Sequence, residues 1–238
     1  MIDRHALRAP VNVRTVFLDF GGTLAEPLLD LRPCVRAAAR RSGVRVQSER
    51  FLTESERSWE RLWPEAPSWL GRRPSFADMV HERALRAAGA EGPIDAMVGA
   101  LREELLAPRR HRPYPETDEV LRTLQQKGHR LHVVSNHTDY LPEILRRLGW
   151  AERFSGISFS QEVGAEKPDP RLFTLALSRS ACPPEQAVHV GDQWEADYLG
   201  ARRVGIRAIW LNRTASPTPG PADSIQDLRG LLELSPAA

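Results

Sequence analysis

Lysine is almost absent from this chain: of 33 basic residues only Lys127 and Lys167 are lysines, and the rest are arginine. A lysine retained against that background points to a compact point charge that the planar arginine fork cannot supply. Cysteine is equally scarce. Cys34 and Cys182 show no CxxC spacing, which argues against a disulfide framework or a cysteine metal site and predicts two free thiols. No charge of one sign dominates, since 31 acidic residues leave a formal charge of +2, so no polyanion-binding surface is implied. The basic run Arg109-Arg110-His111-Arg112 reads as a solvated linker, and no nucleic-acid partner is expected. No stretch approaches the ~18–20 apolar residues needed to span a bilayer, and the N-terminus carries no apolar signal region. A reducing cytoplasm and no membrane partner are therefore expected. In that setting the sequon Asn212-Arg213-Thr214 reads as a chance match.

What is present is a split α/β pattern, and 238 residues suffice for one core with an inserted subdomain. The β-branched and apolar run 13–18 predicts a buried parallel strand that delivers Asp19 into Gly21, Gly22 and Thr23. A carboxylate at such a strand end can be a nucleophile, a ligand for a divalent cation, or an ordinary β-turn aspartate. From 28 to 112 the pattern turns helical, with apolar spacing of three and four over 29–42, 46–62, 75–88 and 94–106. Beyond Pro113-Tyr114-Pro115, whose prolines stiffen a hinge, helix and strand alternate as in a parallel sheet. Strands are predicted at 131–134, 156–159, 187–190 and 207–211, and helices at 116–127, 139–148, 170–180 and 195–203. A short closing helix is predicted at 225–234. The expected fold is a core of 1–27 and 113–238, with a central parallel sheet flanked by helices, and an all-helical cap at 28–112. Trp59, Trp63 and Trp69 read as packing of that cap rather than as a substrate cage, and the arginines at 32, 36 and 40 as a solvated stripe.

Three further segments each follow or trail a predicted strand: VVSNHT at 133–138, GAEKPDP at 164–170 and VHVGDQWEADYLGA at 188–201. In order and spacing these and DFGGTL at 19–24 resemble the four motifs of the haloacid dehalogenase superfamily. The likeness is to phosphatase-like members with a helical cap inserted after the first motif, and it covers most of 13–211. It implies a Rossmann-like core and a Mg²⁺-dependent phosphatase acting on a small phosphorylated metabolite. By the same resemblance Asp19 attacks phosphorus to give an aspartyl-phosphate, Ser135 hydrogen-bonds the phosphoryl group, and Lys167 offsets the negative charge. Asp19, the carbonyl of Gly21 and Asp192 would hold the metal, with Asp197 in support. Thr23 and Asn136 are assigned to substrate binding, as is Arg45, which sits in the cap turn that faces the active site in this family.

One position departs from the family pattern. The second aspartate of the first motif, the usual general acid and base, is here Gly21, so ~10²- to 10⁴-fold of proton-transfer catalysis should be missing. Glu26 or His137 could substitute, or the substrate could have a good leaving group. Two other readings follow from Gly21: a metal-independent 2-haloacid dehalogenase, and a low-activity binding or regulatory protein that keeps the fold. Phosphonate hydrolysis through a cap Schiff base is excluded, since 28–112 contains no lysine.

Overall fold

The computed structural model describes residues 13–28 and 30–237. The N-terminal region read as lacking a signal segment falls largely outside them, as does Leu29, the expected start of the first cap helix. In chain order the regular elements begin with β1 (Thr15–Leu18), α1 (Arg32–Ser42), α2 (Ser48–Leu62), α3 (Phe76–Ala87) and α4 (Ile94–Leu105). There follow α5 (Thr117–Gln126), β2 (Arg130–Ser135), α6 (Leu141–Arg147), β3 (Gly156–Phe159) and α7 (Pro170–Ser180). The chain closes with β4 (Ala187–Gly191), α8 (Gly200–Arg203), β5 (Arg207–Leu211) and β6 (Ser224–Ile225). These elements form two compact units. One comprises Met1–Pro27, Arg112–Asn136 and Trp150–Ala238; the other comprises Leu28–His111 and His137–Gly149.

The first unit is built on a parallel sheet of order β3-β2-β1-β4-β5-β6. Leu18 of β1 is level with Val133 of β2 on one side and Val190 of β4 on the other, so the carboxyl ends of the three central strands coincide. Residues just beyond those ends are thereby brought together at one edge of the sheet. The strands are near-continuous apolar runs because helices cover both faces. Phe17, Val134, Phe173, Ala201, Ile206 and Trp210 form the centre of one core cluster. α7 begins where the sequence dictates: Asp169 accepts a hydrogen bond from the Arg171 amide, and Pro170 occupies the first turn.

Two predicted helices of this unit are corrected. Residues 195–203 form a π-helical turn, Trp194–Leu199, before α8, because the Gln193 carbonyl accepts from both Asp197 (2.9 Å) and Tyr198 (3.3 Å). Residues 225–234 are not one helix: Ser224–Ile225 pairs with β5 as a sixth strand, and only Leu228–Glu233 turns, as a 3-10 helix. Gly230 lies so close to Ile225 that a Cβ there would overlap its side chain, which ties this turn to the strand edge.

In the second unit α1 packs on α4 and α2 on α3. Trp59 meets Phe76 edge-on at 5.2 Å, and Trp63 and Trp69 pack against the same cluster of Leu62, Ala66, Phe76, Met79 and Val80. The tryptophans are half-buried and pack against the core of this unit, as their spacing suggested. α3 opens with a reciprocal capping box between Ser75 and Asp78. Residues 137–149, which the sequence reading put with the sheet, belong to this unit. The Tyr140 hydroxyl donates to buried Asp78 at 2.7 Å, Arg102 donates to the same carboxylate at 2.7 Å, and Arg147 donates to Glu103 at 2.8 Å. Cys34 and Cys182 are buried free thiols. Among the described residues no helix is long and apolar enough to cross a membrane.

Phe173 is fully buried and meets His189 edge-on at 5.1 Å. Phe173→Ala should cost about 3–5 kcal/mol in urea unfolding. A loss below about 1 kcal/mol would contradict the packing described.

Candidate active site

Asp19 follows β1 but remains in the ladder, its amide donating to the Val190 carbonyl at 3.0 Å. The chain then turns tightly, with Leu24 and Ala25 amides both donating to the Phe20 carbonyl. Gly22 supplies the left-handed conformation this requires, at φ 83°. A Cβ on Gly22 would overlap the Asp192 carboxyl, so the loop backbone runs directly against that residue. Gly21 is different: its φ lies outside the left-handed range, and a Cβ there would meet nothing within 4 Å.

A buried ammonium organises the side chains. Lys167 Nζ donates to Asp19 Oδ1 at 2.7 Å, to Asp197 Oδ1 at 2.5 Å and to the Val134 carbonyl at 3.0 Å, which uses all three of its hydrogens. Ser135 Oγ donates to the same Asp19 oxygen at 2.9 Å. On the far side His189 Nε2 bonds Asp197 Oδ1 at 2.9 Å, and the Gln193 amide donates to Asp197 Oδ2 at 3.1 Å. Gly191 permits this approach, because a Cβ there would overlap the Asp197 carboxyl. Asn136 is committed elsewhere than expected: its Oδ1 accepts from the Lys167 amide at 2.7 Å and its Nδ2 donates to the Lys167 carbonyl at 3.2 Å. It therefore clasps the Lys167 segment.

The charges are unevenly shared. Burial raises the Asp19 carboxyl above its usual range, and Lys167 only partly opposes this. Burial acts on Asp197 too, but Lys167 and His189 outweigh it and hold that carboxyl well below normal. Burial, followed by repulsion from Asp19 and Asp197, pushes Asp192 up to about 7. Burial likewise lowers His189, which is then neutral at physiological pH, while Lys167, despite burial, is raised by its two aspartates.

With all three carboxyls ionised against one ammonium, the excess would be two negative charges, the complement of a divalent cation. Asp19, Asp192 and Asp197 present oxygens within 4.8 Å of one another, and Asp192 Oδ1 is buried with no hydrogen-bond partner. An all-oxygen donor set that includes one orphaned carboxylate oxygen suits Mg²⁺.

The remaining sequence candidates are placed as follows. Thr23 is fully buried, its Oγ1 unpartnered and its carbonyl held by Arg213 at 2.8 Å. Arg45 lies in the other unit, where its exposed guanidinium donates to Glu91 at 2.5 Å. Glu26 is exposed beside Arg112 at 3.5 Å. His137 belongs to the second unit, and burial lowers its imidazole to about 4. At pH 7 only about one His137 in a thousand would carry an acidic proton. Sequence reasoning passed over His189 and Arg213; the former could be noticed as a polar residue inside the strand AVHVG.

A strand-end carboxylate bonded to a buried lysine, opposite an acidic pair on a parallel α/β sheet, is an arrangement that can serve nucleophilic attack or cation binding. Residues 13–205 match the family model of the haloacid dehalogenase-like hydrolases, and the chain belongs to that family. It is 31% identical over 245 residues to a phosphoserine phosphatase of Thermus thermophilus, covering 91% of this chain and 97% of that protein. A HAD phosphatase structure from Thermococcus onnurineus superposes with a TM-score of 0.64 at 27% identity, over 94% of this chain and 100% of that one. A 2-haloacid dehalogenase from Pseudomonas syringae pv. tomato superposes at 0.71 with 26% identity, over 93% and 97%.

The raised Asp192 gives a signed pH dependence. The folded state holds the Asp192 proton more tightly than the unfolded state, so in metal-free protein the Asp192 contribution to stability should be lost as pH rises from 3.8 to about 7. The wild-type slope should exceed that of Asp192→Asn, and Mg²⁺ should restore stability only to the wild type. Identical thermal-shift profiles for the two proteins would contradict this assignment.

Proposed function

We propose that this hydrolase is a Mg²⁺-dependent phosphatase that acts on a small phosphorylated metabolite through an aspartyl-phosphate on Asp19. The observation that carries this reading is the Asp19, Asp192 and Asp197 cluster with its orphaned Asp192 oxygen. A dehalogenase attacks carbon and needs no metal, so a cluster with this excess of negative charge favours the phosphatase. Bound Mg²⁺ would neutralise phosphoryl oxygens and align them for in-line attack. Asp19 supplies the attacking oxygen, and Ser135 and Lys167 hold its carboxylate in place through Oδ1. Lys167 also keeps positive charge beside the phosphoryl group as it is transferred. Phosphoserine is the first substrate to try, by likeness to the Thermus thermophilus phosphatase. The two buried free thiols accord with a reducing cytoplasm.

The similarity to the Pseudomonas syringae enzyme and the glycine at 21 favour a second reading, metal-independent 2-haloacid dehalogenation. Gly21 alone supports a third, a low-activity binding or regulatory protein. Asp19→Asn should lower phosphatase turnover by several orders of magnitude with the fold intact, and EDTA should abolish wild-type turnover. Phosphate release that survives chelation would reject the metal-dependent reading, and halide release without metal would establish the second.

Gly21 has no left-handed φ, and a Cβ there would meet nothing within 4 Å, so the backbone tolerates the first atom of a side chain in Gly21→Asp. If the general acid is simply missing, this variant should gain up to ~10²-fold on alkyl phosphates and little on aryl or acyl phosphates, whose leaving groups depart unprotonated. Equal loss on every substrate, in a folded protein that binds Mg²⁺, would mean that the acid is supplied elsewhere.

A further inference from the structure

Arg213 lies in the segment whose sequence suggested only a chance sequon, just beyond β5. Its guanidinium is engaged on every side. Nε donates to the Gly22 carbonyl at 3.2 Å and Nη2 to the Thr23 carbonyl at 2.8 Å. Nη1 donates to Glu116 Oε1 at 2.7 Å, and the plane lies 3.5 Å from the centre of the Tyr114 ring. Glu116 is itself buried, and although burial raises its carboxyl, the Arg213 bond brings it below the usual range. Two successive carbonyls, a carboxylate and an aromatic face suit a planar fork, whose donors are spread over three nitrogens; an ammonium, with its donors on one atom and no flat face to stack, could not span them all.

The loop held in this way is the one that follows the nucleophile. Gly22 already stands where a single added carbon would overlap the Asp192 carboxyl, so any displacement of the 22–23 backbone changes the space around Asp192. The Gly21 carbonyl, the expected backbone ligand of the cation, is one peptide upstream. We propose that Arg213 is a positioning residue: it clamps the Gly22–Thr23 backbone to Glu116 and Tyr114, and so fixes the separation of the Asp19 loop from Asp192 on which cation binding depends. The proposal rests on the Mg²⁺-dependent reading above. Arg213 has no part in the chemistry itself and acts only through the loop.

The test compares wild type, Arg213→Met, Arg213→Lys and Glu116→Gln, with Mg²⁺ binding followed by titration calorimetry and turnover by phosphate release. Loss of a residue that orients metal ligands typically weakens binding ~10- to 100-fold. Arg213→Met and Arg213→Lys should both show that loss, with a matching fall in kcat at saturating substrate and little change in KM. Glu116→Gln keeps an acceptor but removes the charge that anchors the fork, and should shift Mg²⁺ affinity in the same direction by less. Wild-type Mg²⁺ affinity in a folded Arg213→Met, whatever its thermal stability, overturns the proposal, as does full rescue by lysine. If neither Arg213 variant folds, wild-type affinity in Glu116→Gln overturns it. A wild-type protein that neither binds Mg²⁺ nor releases phosphate rejects the phosphatase reading instead, which keeps the two failures apart.

Discussion

The site depends on one buried ammonium. Lys167 is among the few lysines of an arginine-rich chain, and its three hydrogens bridge Asp19, Asp197 and the end of β2. Without it two buried carboxylates would face each other unpaired, and breaking such an arrangement typically costs about 3–5 kcal/mol. Its placement is secured twice over. Asn136 clasps its backbone from the end of β2, while His189 and the Gln193 amide hold Asp197 from the other side. The same chain of bonds explains the uneven charges: Lys167 and His189 keep Asp197 ionised, while burial raises both Asp19 and Asp192. That imbalance is what a divalent cation would relieve.

Much of this was legible because strand-end carboxylates declare themselves. An apolar run ending in Asp19, and another ending in Gly191-Asp192, can be read as buried strands delivering acids to a sheet edge, and the register of β1 with β2 and β4 brings them level. The scarcity of lysine likewise singled out Lys167. Other features were hidden for physical reasons. The two-residue strand β6 is too short to show any periodicity. The π turn before α8 keeps a helical composition, and one extra residue per turn leaves no mark in the pattern. Asn136 was recognisable as polar and well placed, but nothing in an amide tells whether it will grip backbone or substrate. Arg213 disappeared among the other arginines; only geometry distinguishes a guanidinium with four partners from a solvated one. Residues 137–149 are tied to the helical unit by Tyr140 on Asp78 and Arg147 on Glu103, polar contacts that leave no periodic mark in the sequence.

The glycine pair of the first motif divides two roles that composition cannot separate. Gly22 is required, by its positive φ and by its approach to Asp192. Gly21 shows neither feature, and a Cβ there would meet nothing within 4 Å. On the phosphatase reading proposed above, a glycine here would leave the first motif without its usual acid, which would favour substrates whose leaving groups need no proton.

The central claim is that Asp19 carries the phosphoryl group. It is tested most directly by a single turnover of the Mg²⁺-loaded protein in heavy-oxygen water, quenched in acid, with mass spectrometry of both the Asp19 peptide and the released phosphate. The account predicts a transient phosphoryl adduct on Asp19, with the heavy oxygen appearing in phosphate and none in the Asp19 carboxylate. Labelled phosphate released with no adduct at any quench time would show that water attacks the substrate directly, and would contradict the claim.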